Sequence, residues 1–206
     1  MFCGAGGCSV GYAAAGFEVV GVDREPQRNY PFEFWQMDAL GALSQFGNEF
    51  DVIHASPPCQ EYSALRHLHP DKRYFDLIDV TRNALKGHNY IIENVPGAPL
   101  RNPVRLCGSF FGLKVRRHRL FESNMKIVGT SCDHKKQGQP IDVSGTGGPR
   151  RNRRVGDHGG SCNKPENIEA ARNAIQIDWM TRKEISQAIP PAYTEWIGNQ
   201  IKGELP

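Results

Sequence analysis

The chain has 206 residues, of which 39% are hydrophobic and 23% charged, with a formal net charge of +3. This length suits one domain with room for a small appended lobe. A run of about eighteen apolar residues, the length needed to span a membrane, does not occur, and MFCGAGGCSVGY lacks the regions of a secretion signal. We therefore expect a cytoplasmic protein with reduced thiols and no membrane partner.

A glycine-rich turn, GAGG (4–7), precedes the first predicted elements. The segment SVGYAAAG (9–16) has helical composition, and Gly16 is a plausible C-cap. FEVVGVD (17–23) then predicts a strand that ends in an acid, Asp23. The pattern predicts strand end, turn, helix and strand.

Two further strands and a helix follow along the chain. FDVIHAS (50–56) predicts a strand that runs into a proline–cysteine turn, and YIIENV (90–95) predicts a strand that contains Glu93 near its end. Between them, 73–86 carries apolar residues at helical spacing. Strands alternating with helices predict an α/β fold with a mostly parallel sheet and helices on both faces.

Ligands of such sheets bind beyond the carboxyl ends of the strands. The glycine turn, Asp23, Cys59 and Glu93 all fall at predicted strand ends. We therefore expect these residues to share one site.

The second half of the chain divides at two changes of composition. Residues 124–165 are rich in glycine and charged residues with little apolar periodicity, which predicts an irregular insertion after a core of 1–123. A helical pattern returns at 166–188 and stops at the prolines 190–191. The segment 166–206 is thus predicted to be a C-terminal helical segment that returns to the core.

Cations are concentrated in three runs, VRRHR (115–119), HKK (134–136) and RRNRR (150–154). Clustered Arg and Lys are the usual signature of a polyanion partner. A solvated loop explains charge runs equally well, so both interpretations stay open on the runs alone.

The glycine turn and two acids suggest a nucleoside-bearing ligand. Glycines let backbone amides approach a ligand, although a tight turn without a ligand is also consistent with GAGG. Asp23, after the next strand, can accept both hydroxyls of a ribose. Asp38 is placed either to contact an adenine amine or to cap a helix.

Cys59 follows two prolines, which stiffen the backbone and suppress helix there. A cysteine held in this way is either a packing residue or a positioned nucleophile. Cys3, Cys8 and Cys107 are interpreted as packing residues.

These motifs together resemble the DNA cytosine carbon-5 methyltransferase family. They occur in the family's order and span residues 2–201. The matching stretches are FCGAGG (2–7), PPCQEYS (57–63), ENV (93–95), RHR (117–119), MTRKEISQAIP (180–190) and IGNQI (197–201).

The resemblance implies a Rossmann-like S-adenosylmethionine-dependent methyltransferase fold, in which 124–165 is a short target-recognition insertion. It implies methyl transfer from S-adenosylmethionine to carbon 5 of cytosine in double-stranded DNA. The cofactor-binding residues it implies are Phe2, Gly4, Ala5, Gly6, Gly7, Asp23, Asp38, Pro58 and Asn199.

The resemblance also implies the catalytic roles. Cys59 would attack carbon 6 of a base flipped out of the duplex, Glu93 would protonate or hydrogen-bond ring nitrogen 3, and Arg119 would hold the cytosine carbonyl oxygen. Arg117 would act nearby on the pocket or backbone. The substrate-binding residues would be Gln60, Ser63, Asn94, Arg150, Arg151, Arg153 and Arg154, with Asn94 bracing the catalytic loop.

Several alternatives remain open at this point. The acceptor could be RNA, the donor could carry a group larger than methyl, or the chain could be a non-catalytic DNA-binding protein on the same scaffold. The small size suits a phage or mobile-element enzyme, and a separate restriction nuclease could accompany it but is not required. No metal is required; a weak zinc candidate, weighed against unliganded surface residues, is formed by Cys132, His134, His158 and Cys162.

Overall fold

The structure is a computed structural model of the chain. It describes residues 1–58, 62, 76–144, 154–155 and 160–205, with the backbone alone at 154–155 and 160–161. Seven residues singled out from the sequence lie outside the described residues, together with the side chain of Arg154: Cys59, Gln60, Ser63, Arg150, Arg151, Arg153 and His158.

The described residues form eight strands and seven α-helices. The strands are β1 (Val20–Asp23), β2 (Glu33–Gln36), β3 (Ile53–Ala55), β4 (Tyr90–Asn94), β5 (Val104–Leu106), β6 (Arg119–Ser123), β7 (Arg154–Val155) and β8 (Gly160–Ser161). The helices are α1 (Gly7–Ala14), α2 (Ala39–Phe46), α3 (Ile78–Ala84), α4 (His134–Gln137), α5 (Ile168–Ile175), α6 (Arg182–Gln187) and α7 (Pro191–Ile201). Short 3-10 turns follow α2 and α7.

The main sheet is mostly parallel. β1 pairs in parallel with β2, and β3 pairs in parallel with β4, whereas β6 runs antiparallel between β4 and β5. Residues 1–3 lie between the two halves: the Cys3 amide donates to Val22 O at 3.2 Å, and the Ser56 amide donates to Met1 O at 3.2 Å. Residues 1–3 thus link the two-stranded part, β2-β1, to the four-stranded part, β3-β4-β6-β5, of the main sheet.

Helices cover both faces of this sheet, which β4 shows directly. Ile91 packs in a cluster with Ile175 and Ile197 from α5 and α7, whereas Ile92 packs in a second cluster with Leu43 of α2. Consecutive strand residues point to opposite faces. The predicted fold class is therefore confirmed.

Helix α1 lies directly against α7. A Cβ on Gly11 would overlap the Pro191 carbonyl and the Thr194 hydroxyl, so only glycine permits this approach. Thr194 Oγ1 also donates to Cys8 O at 2.8 Å. This packing joins the C-terminal segment to the glycine turn that precedes α1.

The helical pattern predicted over 166–188 forms two separate helices. Helix α5 ends at Ile175, where the C-cap residue Gln176 has a left-handed φ of 59°, and α6 begins after Thr181. Thr181 and Glu184 form a reciprocal capping box, which starts a new helix instead of continuing the old one.

The described part of 124–165 packs against the rest of the chain. Val143 is buried in the larger core cluster, the Ile141 amide donates to Lys114 O at 2.7 Å, and Trp196 Nε1 donates to Val128 O at 2.9 Å. The boundaries of this insertion remain predictions. No helix in the described ranges is long and apolar enough to cross a membrane.

Candidate active site

A cavity of about 1380 Å³ lies at the carboxyl ends of the parallel strands. It reaches from the glycine turn (4–7) to the arginine motif, RHR (117–119), and so brings together predicted cofactor-binding and predicted catalytic residues. Its lining includes Phe2, Gly4, Ala5, Gly7, Asp23, Asp38, Pro58, Glu93, Arg117 and Arg119.

Asp23 is oriented at the end of β1 by two backbone amides. Its Oδ2 accepts from the Gly4 amide at 3.0 Å and its Oδ1 from the Glu25 amide at 3.0 Å. A carboxylate offers about four lone pairs, so it can accept further donors from a ligand. Gly4 has a φ of +50°, and a Cβ there would meet nothing within 4 Å. The turn thus leaves open space beside the carboxylate.

Gly6 and Gly7 have a packing explanation. Gly6 has a φ of +86°, and a Cβ there would meet Pro31 at 2.8 Å and Tyr30 at 3.0 Å. A Cβ on Gly7 would overlap the Ile189 carbonyl. Gly6 is absent from the described cavity lining, so close packing accounts for this glycine.

Asp38 is the N-cap of α2, accepting from the Leu40 amide at 3.0 Å and the Gly41 amide at 2.9 Å. Its exposed side chain also lines the cavity. The capping role is therefore observed, and an adenine contact remains a prediction.

Asn199 is not brought to the cavity with the other predicted cofactor residues. It is exposed on α7, whose buried face is formed by Ile197, Gly198 and Ile201. The pitch of the helix turns its side chain away from that face, and it is not among the described lining residues.

Glu93 and Arg119 form an ion pair at the centre of the part of the cavity that holds the predicted catalytic residues. Glu93 is buried near the end of β4, and Arg119 begins the antiparallel strand β6, with Arg119 Nε 3.1 Å from Glu93 Oε1. Glu93 pairs with Phe121, so Arg119 lies two residues along on the same face. Burial raises the pKa of Glu93, and the neighbouring Arg119 and Ser56 offset only part of this rise.

Arg117 is held in a strained position beside this pair. Its φ is 38°, which a residue with a side chain rarely adopts, and its Nη2 donates to Ser186 O at 2.6 Å. The Tyr193 hydroxyl donates to Arg117 O at 2.9 Å and to Arg116 O at 3.2 Å. Burial lowers the pKa of Arg117 to about 9. Within the described residues its Nε has no hydrogen-bond partner.

The loop that leads to Cys59 is fixed by Asn94. The Asn94 side-chain amide donates to Pro57 O at 3.0 Å, and its oxygen accepts from the Val95 amide at 2.9 Å. Pro58, the last described residue before Cys59, lines the same cavity as Glu93. Asn94 is therefore placed to position this loop.

A polar chain behind Glu93 was not identified from the sequence. Ser56 is close enough to Glu93 to lower the pKa of that carboxyl, and its Oγ lies 3.1 Å from His54 Nε2, whose Nδ1 is 2.9 Å from the Tyr12 hydroxyl. Burial lowers the pKa of His54 to about 3, so this imidazole is neutral. The position of Ser56 at the end of a predicted strand was the one available signal.

Three of the four predicted zinc ligands, Cys132, His134 and Cys162, lie among the described residues, and these three do not form one cluster. Cys132 and His134 share a cluster with Cys107, but Cys162 is not part of it. Cys107, interpreted from the sequence as a packing residue, is buried and also belongs to this cluster.

The order of the described strands in the main sheet, with β6 antiparallel to its two neighbours, and the cavity at the strand ends define a Rossmann-like α/β fold. No protein-family model matches the sequence, and a search of the curated proteins finds no match.

Solved structures provide the similarity instead. The chain is similar in fold to a prophage-encoded E. coli protein assigned as a DNA modification methyltransferase, with a TM-score of 0.62 and 16% identity over 98% of this chain and 97% of that chain. A DNMT2 mutant from Spodoptera frugiperda gives a TM-score of 0.43 and 19% identity over 69% of this chain and 56% of that chain. At these identities the first similarity shows the fold, and the second carries no further inference.

Proposed function

We propose that the protein transfers a methyl group from S-adenosylmethionine to carbon 5 of cytosine in DNA, through a covalent bond between Cys59 and carbon 6. The observation that carries this proposal is the ion pair between the buried Glu93 and the partly buried Arg119. This pair lines a cavity that is also lined by Pro58, which directly precedes the proposed nucleophile, and by Asp23, the proposed acceptor of the ribose hydroxyls.

The residues around Asp23 fit S-adenosylmethionine. The carboxylate is fixed by the Gly4 and Glu25 amides and would accept the ribose hydroxyls, while the open space at Gly4 leaves room for the rest of the ligand. The bound cofactor supplies the electrophilic methyl group.

Carbon 5 of cytosine is a weak nucleophile, so the ring must first be activated. The Cys59 thiolate adds to carbon 6, and the electron pair displaced from the carbon 5–carbon 6 bond makes carbon 5 nucleophilic. After methyl transfer, carbon 5 loses its proton to solvent, the thiolate leaves and ring nitrogen 3 returns its proton to Glu93, which restores the aromatic ring. Cys59 is thus regenerated.

Glu93 takes up the charge that builds on the ring. Because burial raises its pKa, Glu93 keeps a proton at a pH where an ordinary carboxyl has lost it, and it can donate that proton towards ring nitrogen 3. Arg119 keeps the carboxyl in place and offers its planar donors to the cytosine carbonyl oxygen. Arg117 is held by Ser186 and Tyr193, and it acts as a positioning residue.

The cavity volume supports binding of two ligands. Pockets for a single small molecule measure about 300–1,000 Å³, whereas this cavity measures about 1380 Å³. A base stacked in a duplex cannot enter it, so the target cytosine would be flipped out of the helix.

The test is covalent capture on duplex DNA that contains 5-fluorocytosine. The wild-type protein should form an adduct that resists denaturation and should transfer labelled methyl to unmodified DNA, whereas Cys59→Ala should do neither. Unchanged S-adenosylmethionine affinity in Cys59→Ala would show that the variant is folded.

Methylation by Cys59→Ala would overturn the mechanism. A parallel reaction with tRNA identifies the acceptor, and product on tRNA alone would overturn the DNA assignment. Mass analysis of the modified nucleoside identifies the transferred group, and a mass increase other than that of methyl would overturn the proposed donor.

A further inference from the structure

Two cysteines and two histidines converge at the edge of the main sheet, apart from the Glu93 pair. Their ligand atoms all lie within 4.8 Å of one another. The four residues come from three separate segments: Cys107 follows β5, His118 precedes β6, and Cys132 and His134 lie at the start of α4.

The spacing of these atoms fits tetrahedral coordination of one metal ion. Cys107 Sγ lies 3.3 Å from His134 Nε2, and Cys132 Sγ lies 3.3 Å from His118 Nε2. Zinc–sulfur bonds of about 2.3 Å and zinc–nitrogen bonds of about 2.0 Å at a tetrahedral angle place sulfur and nitrogen about 3.5 Å apart. Small side-chain movements would therefore centre all four atoms on one ion.

The charge of this donor set suits a partly buried position. Cys107 is fully buried, and the other three side chains are partly buried. Two thiolates and two neutral imidazoles balance one divalent cation, so no net charge is left in the site. Two sulfur and two nitrogen ligands in tetrahedral geometry are a typical donor set for zinc.

The neighbouring contacts orient the ligands. Ser109 Oγ lies 3.1 Å from Cys107 Sγ and accepts from the Asp133 amide at 3.0 Å. The Cys107 amide donates to Thr130 Oγ1 at 3.3 Å. Such outer contacts fix the direction of metal ligands.

We propose a structural Zn²⁺ site whose four ligands are Cys107, His118, Cys132 and His134. All four coordination positions are protein ligands, which is the pattern of a structural and not a catalytic zinc. His118 lies between Arg117 and Arg119, so the ion would join the arginine motif to the beginning of the 124–165 insertion. The alternative is two thiol–imidazole hydrogen bonds without a metal.

The decisive measurement is the zinc content of protein purified without chelators from zinc-supplemented cells. The wild type should hold about one zinc per chain. The zinc contents of Cys132→Ser and of His134→Ala should each be lower by about tenfold or more. Cys162→Ser is the matched control, because Cys162 is a buried cysteine outside the cluster, and it should keep its zinc.

The proposal is overturned if the wild type lacks zinc, if the ligand variants retain it, or if Cys162→Ser loses it to the same extent. Should the variants fail to fold, the wild type reconstituted with Co²⁺ gives a second test. Thiolate-to-cobalt charge-transfer bands and the d–d bands of a tetrahedral site are expected, and their absence would contradict the proposal. These measurements do not depend on methyl transfer.

Discussion

Glu93 Oε1 and Arg119 Nε lie 3.1 Å apart across two antiparallel strands, β4 and β6. The strand register places both side chains on one face beside the cavity, where Glu93 is buried and Arg119 is partly buried. The Glu93 carboxyl is thereby buried with the Arg119 cation beside it. Burial raises the pKa of Glu93 by more than Arg119 lowers it. This balance leads to the first prediction.

Glu93→Gln should lower kcat by about 10²–10⁴-fold, since a positioned proton donor contributes about that much. Because the pKa of Glu93 is raised and the protonated form is the active one, wild-type activity should fall as pH rises through that pKa. The glutamine variant cannot titrate, so this alkaline limb should disappear from its pH–rate profile. The same alkaline limb in the variant would show that Glu93 is not the group responsible.

Asn94→Ala should slow covalent capture of the base by about tenfold or more. The substitution leaves the Pro57 carbonyl without its donor in a buried place, which costs about 1–3 kcal/mol and loosens the loop before Cys59. The measurement is the single-turnover rate of adduct formation on 5-fluorocytosine DNA.

Asn124→Ala is a matched control for this effect. The Asn124 side-chain amide donates to His88 O with a bond length of 2.9 Å, and this bond lies away from the cavity. It should change stability without slowing capture. Equal slowing in both variants would contradict a positioning role for Asn94.

Asp23→Ala should weaken S-adenosylmethionine binding by about tenfold or more, because the ribose hydroxyls lose a fixed acceptor. Titration calorimetry of the purified protein measures the dissociation constant. Asp51→Ala serves as control, since Asp51 is exposed and does not line the described cavity.

Asn199→Ala separates the sequence expectation from the structure. The resemblance assigns Asn199 to the cofactor, whereas the structure places it on the exposed face of α7. We expect the dissociation constant to stay within about twofold of the wild type, and a loss comparable to that of Asp23→Ala would restore the sequence assignment.

The parts of the site that could be predicted from sequence are those encoded locally. An apolar run that ends in an acid marks a strand with its carboxylate at the ligand edge, and this rule places Asp23 and Glu93 in one cavity. The glycine turn is also a local signal, although Gly6 and Gly7 are explained by neighbours that only the fold supplies.

The remaining parts depend on contacts between distant segments. β5 has only three residues, and β6 carries Arg119 and Glu122 without regular alternation, so neither gives the run of alternating residues that marks a strand. Tyr193 holds the arginine motif from α7, and no periodic pattern links these two positions. Cys107 and His118 likewise join Cys132 only after β5 and β6 have paired.

Stability should fall in acid because of His54. Burial lowers its pKa to about 3, so the folded protein binds this proton less readily than the unfolded chain does. The contribution is present above about pH 6.5 and is lost as pH falls towards 3, at about 1.4 kcal/mol per pH unit at most.

His54→Gln should reduce the slope of unfolding free energy against pH in that window. Urea titrations from pH 4 to 7 measure it, and an unchanged slope would mean that other groups govern acid unfolding. The glutamine can still bond to the Tyr12 hydroxyl or to Ser56, so the fold should be retained.

Tyr193→Phe should affect both stability and catalysis. The Tyr193 hydroxyl bonds to the carbonyls of Arg116 and Arg117, and its loss removes this donor from the part-buried Arg117 carbonyl at about 1–3 kcal/mol. The Arg116 carbonyl still accepts from the Gly108 amide at 2.7 Å. Arg117 holds a left-handed φ of 38°, so the loop should relax once this bond is gone and kcat should fall as well.

Tyr90→Phe is the matched control for Tyr193→Phe. The Tyr90 hydroxyl donates to Glu122 at 3.2 Å, on a strand of the same sheet, and Tyr90 is not among the described residues that line the cavity. Denaturant unfolding and steady-state kinetics on both variants separate the two effects. If Tyr193→Phe lowers kcat no more than Tyr90→Phe does, then Tyr193 stabilises the sheet without positioning the arginine motif.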